Sequence, residues 1–172
     1  MCGLVHIYCG DGKGKTTAAV GLAMRAAGAG KKVIFAQFFK NGSSSEIKVL
    51  KGIENIKLCL CNKNHGFYFN MDEAQRQEAC CDYANLFMKT SEHALSADLL
   101  VLDEIISACN FHMVKEDNLI EFIKNKPDGL EVVLTGRDPS QKLIDIADYI
   151  TQMQKVKHPF DSGIKARRGI EF

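Results

Sequence analysis

Residues 4–17, LVHIYCGDGKGKTT, decide the fold that this sequence predicts. The first six of them are mostly apolar and predict a short buried strand. A glycine-rich turn follows and leads into residues 16–29, which are rich in alanine and other helix formers. Gly28 and Gly30 suit the end of that helix, and a second apolar run begins after them at residues 33–38. The segment therefore predicts strand, turn, helix and strand, which is the start of a parallel α/β sheet.

The same alternation continues along the rest of the chain. Further strands are indicated at residues 56–61, 98–103 and 131–135, and helices at residues 71–95, at residues 114–126 and from Asp138 to residue 147. Asp138 is expected to cap the last of these helices, because a proline follows it in the first helical position. Residues 42–45 are expected to form a loop. The absence of an internal repeat or linker predicts a single domain, residues 1–172, with a mostly parallel sheet flanked by helices.

Composition limits the kinds of protein that the chain can be. Its 172 residues, 46% hydrophobic and 25% charged, can bury a core and fall in the globular range. A formal net charge of +1 lacks the basic excess of nucleic-acid-binding surfaces, so no nucleic acid is expected as a partner. The chain has no signal-peptide pattern and no apolar run of roughly 20 residues, which predicts a cytoplasmic protein without a membrane partner.

The seven cysteines show no recognisable motif. They contain no C-x-x-C pair, which argues against a zinc ribbon, and they are Cys2, Cys9, Cys59, Cys61, Cys80, Cys81 and Cys109. In the cytoplasm their thiols stay reduced. We expect them to pack as small hydrophobic residues or to lie on the surface without a chemical role.

Residues 10–17, GDGKGKTT, have the composition and the position of a phosphate-binding loop. Glycines allow backbone N–H groups to point at one spot, the helix start adds positive charge, and Lys15 brings a full charge to the phosphates. Thr16 stands where a hydroxyl holds Mg²⁺. The strict G-x-x-x-x-G-K-T pattern requires glycine where this chain has Cys9, so the loop is a variant. An ordinary glycine-rich turn is the alternative. The predicted ATP-binding loop residues are Gly10, Asp11, Gly12, Lys13, Gly14, Lys15, Thr16 and Thr17.

Residues 99–104, LLVLDE, provide a second element of such a site. The apolar run delivers Asp103 and Glu104 to the carboxyl edge of the sheet, where ligands of α/β folds bind. Mg²⁺ prefers hard oxygen ligands such as these carboxylates. The alternative is a buried strand followed by acids that cap a helix, which would have the same sequence pattern. Beside the phosphate loop, the pattern favours Thr16, Asp103 and Glu104 as ligands of Mg²⁺, with Mn²⁺ as a substitute. Lys15, Thr16 and Glu104 are the predicted catalytic residues.

Residues 135–137, TGR, end another predicted strand at the same edge. Arg137 is therefore a candidate to bind ATP or an anionic side chain of a second substrate. A surface arginine without a role is an equally good interpretation of this residue taken alone.

Five segments of the chain resemble the ATP:corrinoid adenosyltransferases of the CobA/CobO/BtuR family in the cobalamin pathway. They are residues 9–33, 36–40, 100–105, 134–137 and 157–172. The resemblance covers essentially the whole chain, and the family's loop has the same shortened form, with a small residue at the position of Cys9. It implies a P-loop NTPase fold with a RecA-like sheet, and a homodimer.

Such enzymes transfer the 5′-deoxyadenosyl group of ATP to the Co(I) of a reduced corrinoid and release triphosphate. The resemblance implies this reaction on cob(I)alamin or cob(I)yrinic acid a,c-diamide, in synthesis or salvage of adenosylcobalamin. It also implies an electron donor such as a flavodoxin or a flavin reductase. From the motifs alone, a P-loop small-molecule kinase and a RecA-like ATPase assembly module stay open as alternatives.

Residues 65–70, HGFYFN, resemble the segment with which this family covers the lower face of the cobalt. Phe67 matches a family aromatic residue directly, and Phe69 stands where tryptophan is familiar. The resemblance implies that both rings bind the corrinoid. Without it, a plain hydrophobic anchor is the favoured interpretation of these rings.

Overall fold

The computed structural model describes residues 2–40, 44–61, 63–66 and 68–171. Six strands are found there: β1 (Val5–Cys9), β2 (Val33–Gln37), β3 (Ile56–Leu60), β4 (Leu99–Asp103), β5 (Glu131–Thr135) and β6 (Tyr149–Gln152). The helices are α1 (Lys15–Gly28), α2 (Ser45–Leu50), α3 (Glu73–Ala94), α4 (Ile105–Asn110), α5 (Glu116–Lys124) and α6 (Gln141–Asp145). Short 3₁₀ turns span Tyr68–Asn70 and Pro159–Ser162.

All six strands pair in parallel, in the order β3-β2-β4-β5-β1-β6. Every residue of β2 and β4 is buried, as the continuous apolar runs of central parallel strands predict. The carboxyl ends of parallel strands lie along one edge of a sheet, and the register pairs Gln37 with Asp103 there. The predicted α/β fold with a parallel sheet flanked by helices is confirmed.

Two hydrophobic clusters cover the two faces of the sheet. Successive residues of β4 alternate between them, so that Leu102 belongs to one cluster and Val101 to the other. Small residues of α1, among them Ala19 and Ala23, are fully buried against the Val101 face. Alanine brings the helix backbone close to the sheet, which seats the start of α1 at the carboxyl edge.

The structure also contains elements that the sequence did not indicate. These are α2, α4 and β6, which are short and have too few residues to show a clear period. The predicted loop at residues 42–45 lies partly outside the described residues, and Ser45 begins α2. No helix in the part of the chain that the structure describes is long and apolar enough to cross a membrane.

The predicted cap at Asp138 is wrong. Ser140 is the N-cap of α6, and its hydroxyl accepts a hydrogen bond from the N–H of Leu143 (3.3 Å). Asp138 has a φ of 49°, and its carbonyl accepts a hydrogen bond from the Asn110 side chain (3.2 Å). The turn is thus held against the end of α4, and the helix can begin only beyond it.

We expect Asp72→Ala to lower the free energy of unfolding by about 1 kcal/mol, because Asp72 caps α3. Its carboxylate accepts a hydrogen bond from the N–H of Gln75 (2.8 Å), and the Gln75 side chain accepts one from the Asp72 N–H (2.9 Å). Thermal or denaturant unfolding measures the loss. Asp72→Asn is the matched control, since asparagine caps equally well; an equal loss in both variants would contradict the capping role.

Candidate functional site

The turn between β1 and α1 has the backbone shape that its glycines predict. Gly10 has a φ of 102°, and a Cβ atom at this position would collide with the carbonyl oxygen of Met153. Gly14 has a φ of 121° and immediately precedes α1. Both conformations are costly for residues with a side chain. The loop is therefore shaped by the close passage of the chain after β6 as well as by the needs of a ligand.

Lys15 lies at the centre of this loop with only 8% of its surface exposed. Its Nζ atom donates hydrogen bonds to the carbonyl oxygens of Gly10 (2.7 Å) and Gly12 (2.9 Å). Burial lowers the pKa of the Lys15 ammonium below the ordinary lysine value, while the charge of Glu104 opposes that shift. A polyanion bound in the loop would add to the effect of Glu104 and stabilise the charged form.

The carboxylate of Asp103 is fully buried at the end of β4. One of its oxygens accepts hydrogen bonds from the hydroxyls of Thr16 (2.8 Å) and Thr135 (2.7 Å). The other accepts from the Gln37 amide (3.1 Å) and from the Lys40 ammonium (3.2 Å). Residues from α1, β2, β5 and the turn after β2 are thereby joined at one carboxylate, and the predicted partners Thr16 and Asp103 do come together.

Lys40 places a cation against two of the three groups that were predicted to hold a metal, Thr16 and Asp103. Its Nζ atom lies 3.3 Å from the Thr16 hydroxyl, 3.2 Å from an Asp103 oxygen and 3.8 Å from a Glu46 oxygen. Among the described residues, the Gln37 Oε1 atom is buried without a hydrogen-bond partner. A hydroxyl, a carboxylate and a spare amide oxygen are hard donors that fit Mg²⁺ or Mn²⁺. A metal there would have to displace the ammonium.

Glu104 differs from its neighbour Asp103 in position and partners. It has a φ of 62°, in the left-handed region, where a residue other than glycine costs of the order of 1–3 kcal/mol. Its N–H donates to the Thr135 hydroxyl (2.8 Å), and its carboxylate accepts from the Ser107 hydroxyl (2.6 Å). The carboxylate lines an open cleft, whereas Asp103 lies beneath it. The two acids are therefore suited to different roles.

That cleft has a volume of about 590 Å³, which suits a nucleotide. Its floor is the phosphate loop, and its walls carry charged residues from four other parts of the chain. It is lined by residues 11–17, Lys40, Glu46, Glu104, Arg137, His158 and residues 169–171, among others. Of the predicted ATP-binding residues, all except Gly10 line it, and Gly10 contributes the carbonyl that holds Lys15.

The C-terminal tail forms one wall of the cleft. It also contacts the side chains of two residues of the phosphate loop. Lys13 Nζ lies 3.2 Å from an oxygen of Glu171, and the Asp11 carboxylate accepts a hydrogen bond from the Lys155 N–H (3.0 Å). Hydrogen bonds from Arg167, and a further one from Lys13, lower the pKa of Glu171 to about 2. A phosphate would therefore compete with the Glu171 carboxylate for Lys13. The sequence did not reveal this contact.

A cluster of aromatic rings begins beside the cleft and ends at the surface. Phe39, the neighbour of Lys40, contacts Phe111 (5.8 Å between ring centroids), and Phe111 stacks on Tyr68 (4.4 Å). Phe69 contacts both of the latter rings and is 78% exposed. Phe69 thus presents an aromatic ring to solvent at the end of a buried aromatic cluster. Phe67, the other predicted corrinoid residue, lies outside the described residues.

Sequence reasoning did not identify Gln37, Lys40 and Thr135 as site residues. The available signal was a polar residue at or just beyond the carboxyl end of a buried strand. Gln37 is the last residue of β2 and Thr135 the last residue of β5, and both are completely buried. Polar residues are rarely buried in this way unless a neighbouring group forms hydrogen bonds with them.

Similar solved structures share the fold. The structure superposes on a KaiC-like protein from Pyrococcus horikoshii with a TM-score of 0.52 at 17% identity, covering 89% of this chain and 72% of that one. It matches the cytoplasmic domain of the type VII secretion ATPase EccC of Thermomonospora curvata with a TM-score of 0.54 at 13% identity, covering 96% and 22%. The predicted fold class is confirmed by these likenesses, which show a shared fold and carry no information on function or substrate.

Closer relatives are found by sequence. The chain is 30% identical to the corrinoid adenosyltransferase of Escherichia coli strain K12 over 174 residues, which cover 99% of this chain and 86% of the relative. It is 33% identical to the corrinoid adenosyltransferase of Pseudomonas aeruginosa over 175 residues, covering 99% and 84%. The family model described as ATP:corrinoid adenosyltransferase BtuR/CobO/CobP matches residues 1–172. The chain therefore belongs to this family of transferases.

Proposed function

We propose that this protein transfers the 5′-deoxyadenosyl group of ATP to the Co(I) of a reduced corrinoid and releases triphosphate, in synthesis or salvage of adenosylcobalamin. The observation that carries the proposal is the arrangement of Lys15 and Thr16 on one nucleotide-sized cleft, with Asp103 bonded to Thr16 beneath it, in a member of this family. The aromatic cluster that leads from this cleft to the exposed Phe69 supports a second, apolar substrate beside the first.

The protein itself takes little part in the covalent chemistry of this reaction. The electron pair of Co(I) forms the new bond to the ribose C5′ carbon, the C5′–O bond breaks, and its electrons leave on the triphosphate. No proton is removed, so neither a protein nucleophile nor a general base is needed. The protein must instead hold the triphosphate and stabilise the negative charge that gathers on it, and we assign this role to Lys15 and the N-terminus of α1.

A divalent cation fits the donor set described above. Thr16 and Asp103 would hold Mg²⁺, or Mn²⁺ in its place, with Glu104 at the open side of the cleft. When bound, the metal supplies positive charge to the phosphate oxygens. Lys40 and Arg137 supply further positive charge from the protein itself, and Lys13 does so if it exchanges Glu171 for phosphate.

On the corrinoid side, Phe67 and Phe69 are proposed to cover the lower face of the cobalt. An axial donor raises the energy of the metal orbital that accepts an electron, so an apolar wall in its place eases the reduction of Co(II). Aromatic rings suit this role because they are large, stiff and unable to ligate. A flavodoxin or flavin reductase is the proposed electron donor, and a cytoplasmic homodimer the proposed form of the enzyme.

The product released tests the proposal directly. Incubation with Mg²⁺-ATP and chemically reduced cob(I)alamin should give triphosphate and adenosylcobalamin in equal amounts. Lys15→Ala should lower the rate by about 10²–10³-fold, as loss of a group that stabilises developing charge does. Lys31→Ala, which removes an exposed lysine remote from the loop in sequence, is the control. ADP as the product, or Lys15→Ala activity near the parent rate, would refute the proposal.

Substitutions in the acidic pair should change the metal requirement unequally. Asp103→Asn should weaken binding of Mg²⁺ by at least about 10–100-fold, the range that loss of a group positioning a metal ligand already costs. Glu104→Gln should have a smaller effect, since its carboxylate is bonded to Ser107 and not to Thr16. The measurements are a Mg²⁺ titration of activity and Mn²⁺ binding followed by electron paramagnetic resonance.

Lys40→Met should change the affinity for Mn²⁺ in the direction opposite to Asp103→Asn. It removes the ammonium that occupies the Thr16 and Asp103 oxygens, so Mn²⁺ should bind more tightly without nucleotide. An unchanged metal dependence in Asp103→Asn and in Glu104→Gln would remove the acidic strand from the site.

Phe67→Ala should damage turnover from cob(II)alamin with a biological reductant much more than turnover from cob(I)alamin prepared chemically, because the ring acts on the reduction step. Phe69→Ala should behave likewise but more mildly, and ATP affinity should stay nearly unchanged in both. Leu95→Ala, which removes an exposed apolar side chain at the far end of α3, is the control. Equal losses with both cobalt states would show that these rings are ordinary packing.

A further inference from the structure

Three residues with metal-binding side chains meet outside the nucleotide cleft. Cys61 follows β3, His65 lies in the loop after it, and Asp82 projects from α3. The Cys61 sulfur, a ring nitrogen of His65 and a carboxylate oxygen of Asp82 all lie within 4.8 Å of one another. None of the three lines the cleft at the phosphate loop. The cluster is therefore separate from the proposed nucleotide and Mg²⁺ site.

Two of the three side chains are largely shielded from water, and that of Asp82 is 27% exposed. Cys61 is 9% exposed and packs in the hydrophobic core, and the side chain of His65 is 6% exposed. The His65 Nε2 atom lies 3.0 Å from an oxygen of Asp82, and its ring packs edge-on against Tyr83 (5.6 Å between centroids). The ring that would bind a metal is thus oriented before any metal arrives.

The donors form the set that zinc uses in proteins. Zn²⁺ is bound by cysteine sulfur at about 2.3 Å and by histidine nitrogen or carboxylate oxygen at about 2.0–2.2 Å, in tetrahedral geometry. Those lengths place neighbouring ligand atoms roughly 3.3–3.6 Å apart. The atoms of the cluster need only small side-chain rotations to reach such spacing. We propose that Cys61, His65 and Asp82 form a Zn²⁺ site.

Zinc in this position would take the place of protons on the ligand side chains. The hydrogen now shared between His65 Nε2 and Asp82 would leave, as would the Cys61 thiol proton, because metal ligands bind in their deprotonated forms. Three protein ligands leave one corner of the tetrahedron for water. A small cavity of about 230 Å³ borders both Cys61 and Asp82 and has room for it.

Lys63 is the one charged group that competes with the metal among the contacts of Asp82 in the described residues. Its Nζ atom lies 3.3 Å from Asp82 and 2.5 Å from Glu78, and its side chain is 55% exposed. A long exposed lysine can turn toward solvent at little cost. Glu78 then keeps its ion pair, so the arrival of Zn²⁺ exchanges one cation at Asp82 for another.

Metal at this position would join three parts of the fold. It would fasten the end of β3 and the following loop to α3, directly before Gly66 and the aromatic turn Tyr68–Asn70. Zinc would therefore stabilise the folded chain and restrict the segment that presents Phe69. Cys61 would then have a chemical role that the sequence did not suggest.

The test uses untagged, reduced full-length protein without ATP or corrinoid. Titration with Co²⁺, a spectroscopic probe for Zn²⁺ sites, should give thiolate-to-cobalt charge-transfer absorption that saturates at one equivalent and disappears when Zn²⁺ is added. Cys61→Ser, His65→Gln and Asp82→Asn should each lower Zn²⁺ affinity by more than the roughly 10–100-fold that loss of an outer-shell partner costs. Cys81→Ser, an exposed cysteine beside Asp82, should bind like the parent.

Circular dichroism tests whether each variant is folded. One folded variant of a ligand residue is sufficient to decide whether the zinc site exists. Removal of zinc by a chelator should also lower the melting temperature of the parent and leave that of Cys61→Ser unchanged. Absence of stoichiometric binding, absence of the thiolate band, or parent-like affinity in a folded ligand variant would overturn the site. The three residues would then be only the hydrogen-bonded His65–Asp82 pair beside a buried thiol.

Discussion

The carboxylate of Asp103 accepts hydrogen bonds from Thr16, Thr135, Gln37 and Lys40, and the geometry of the site depends on it. A fully buried carboxylate is tolerated only when its oxygens are satisfied, and here the donors come from four different parts of the chain. The same contacts that compensate its burial therefore set the start of α1, the turn after β2 and the end of β5 relative to one another.

The parallel sheet makes this convergence possible. Because all six strands run the same way, the carboxyl ends of β2, β4 and β5 meet at one edge, and the phosphate loop enters at the same edge from β1. The positive charges of Lys15, Lys40 and Arg137 then surround a single cleft. For the proposed reaction, in which triphosphate leaves, such charge is more useful than an acid–base pair.

Two features adjoin the cleft, the C-terminal segment and the aromatic cluster. The C-terminal segment contacts the loop side chains Lys13 and Asp11 through Glu171 and the Lys155 N–H, so it covers part of the surface proposed for the nucleotide. On the other side, Phe39 and Phe111 separate the charged cleft from the exposed Phe69. A charged surface and an apolar one thus adjoin through residues that are consecutive in sequence, Phe39 and Lys40.

The sequence by itself determined the order of the main strands and helices, the phosphate loop and the acidic pair, because each is encoded in a local run of residues. Local patterns do not specify which distant side chains meet. The approach of Lys40 to Thr16 and Asp103, the separation of Asp103 from Glu104 and the start of α6 at Ser140 rather than Asp138 follow from strand register and helix packing. The meeting of Cys61 and His65 with Asp82 of α3 has the same origin. Only the tertiary structure decided these contacts, since each joins residues whose spacing is set by the packing of whole elements and not by their neighbours in the chain.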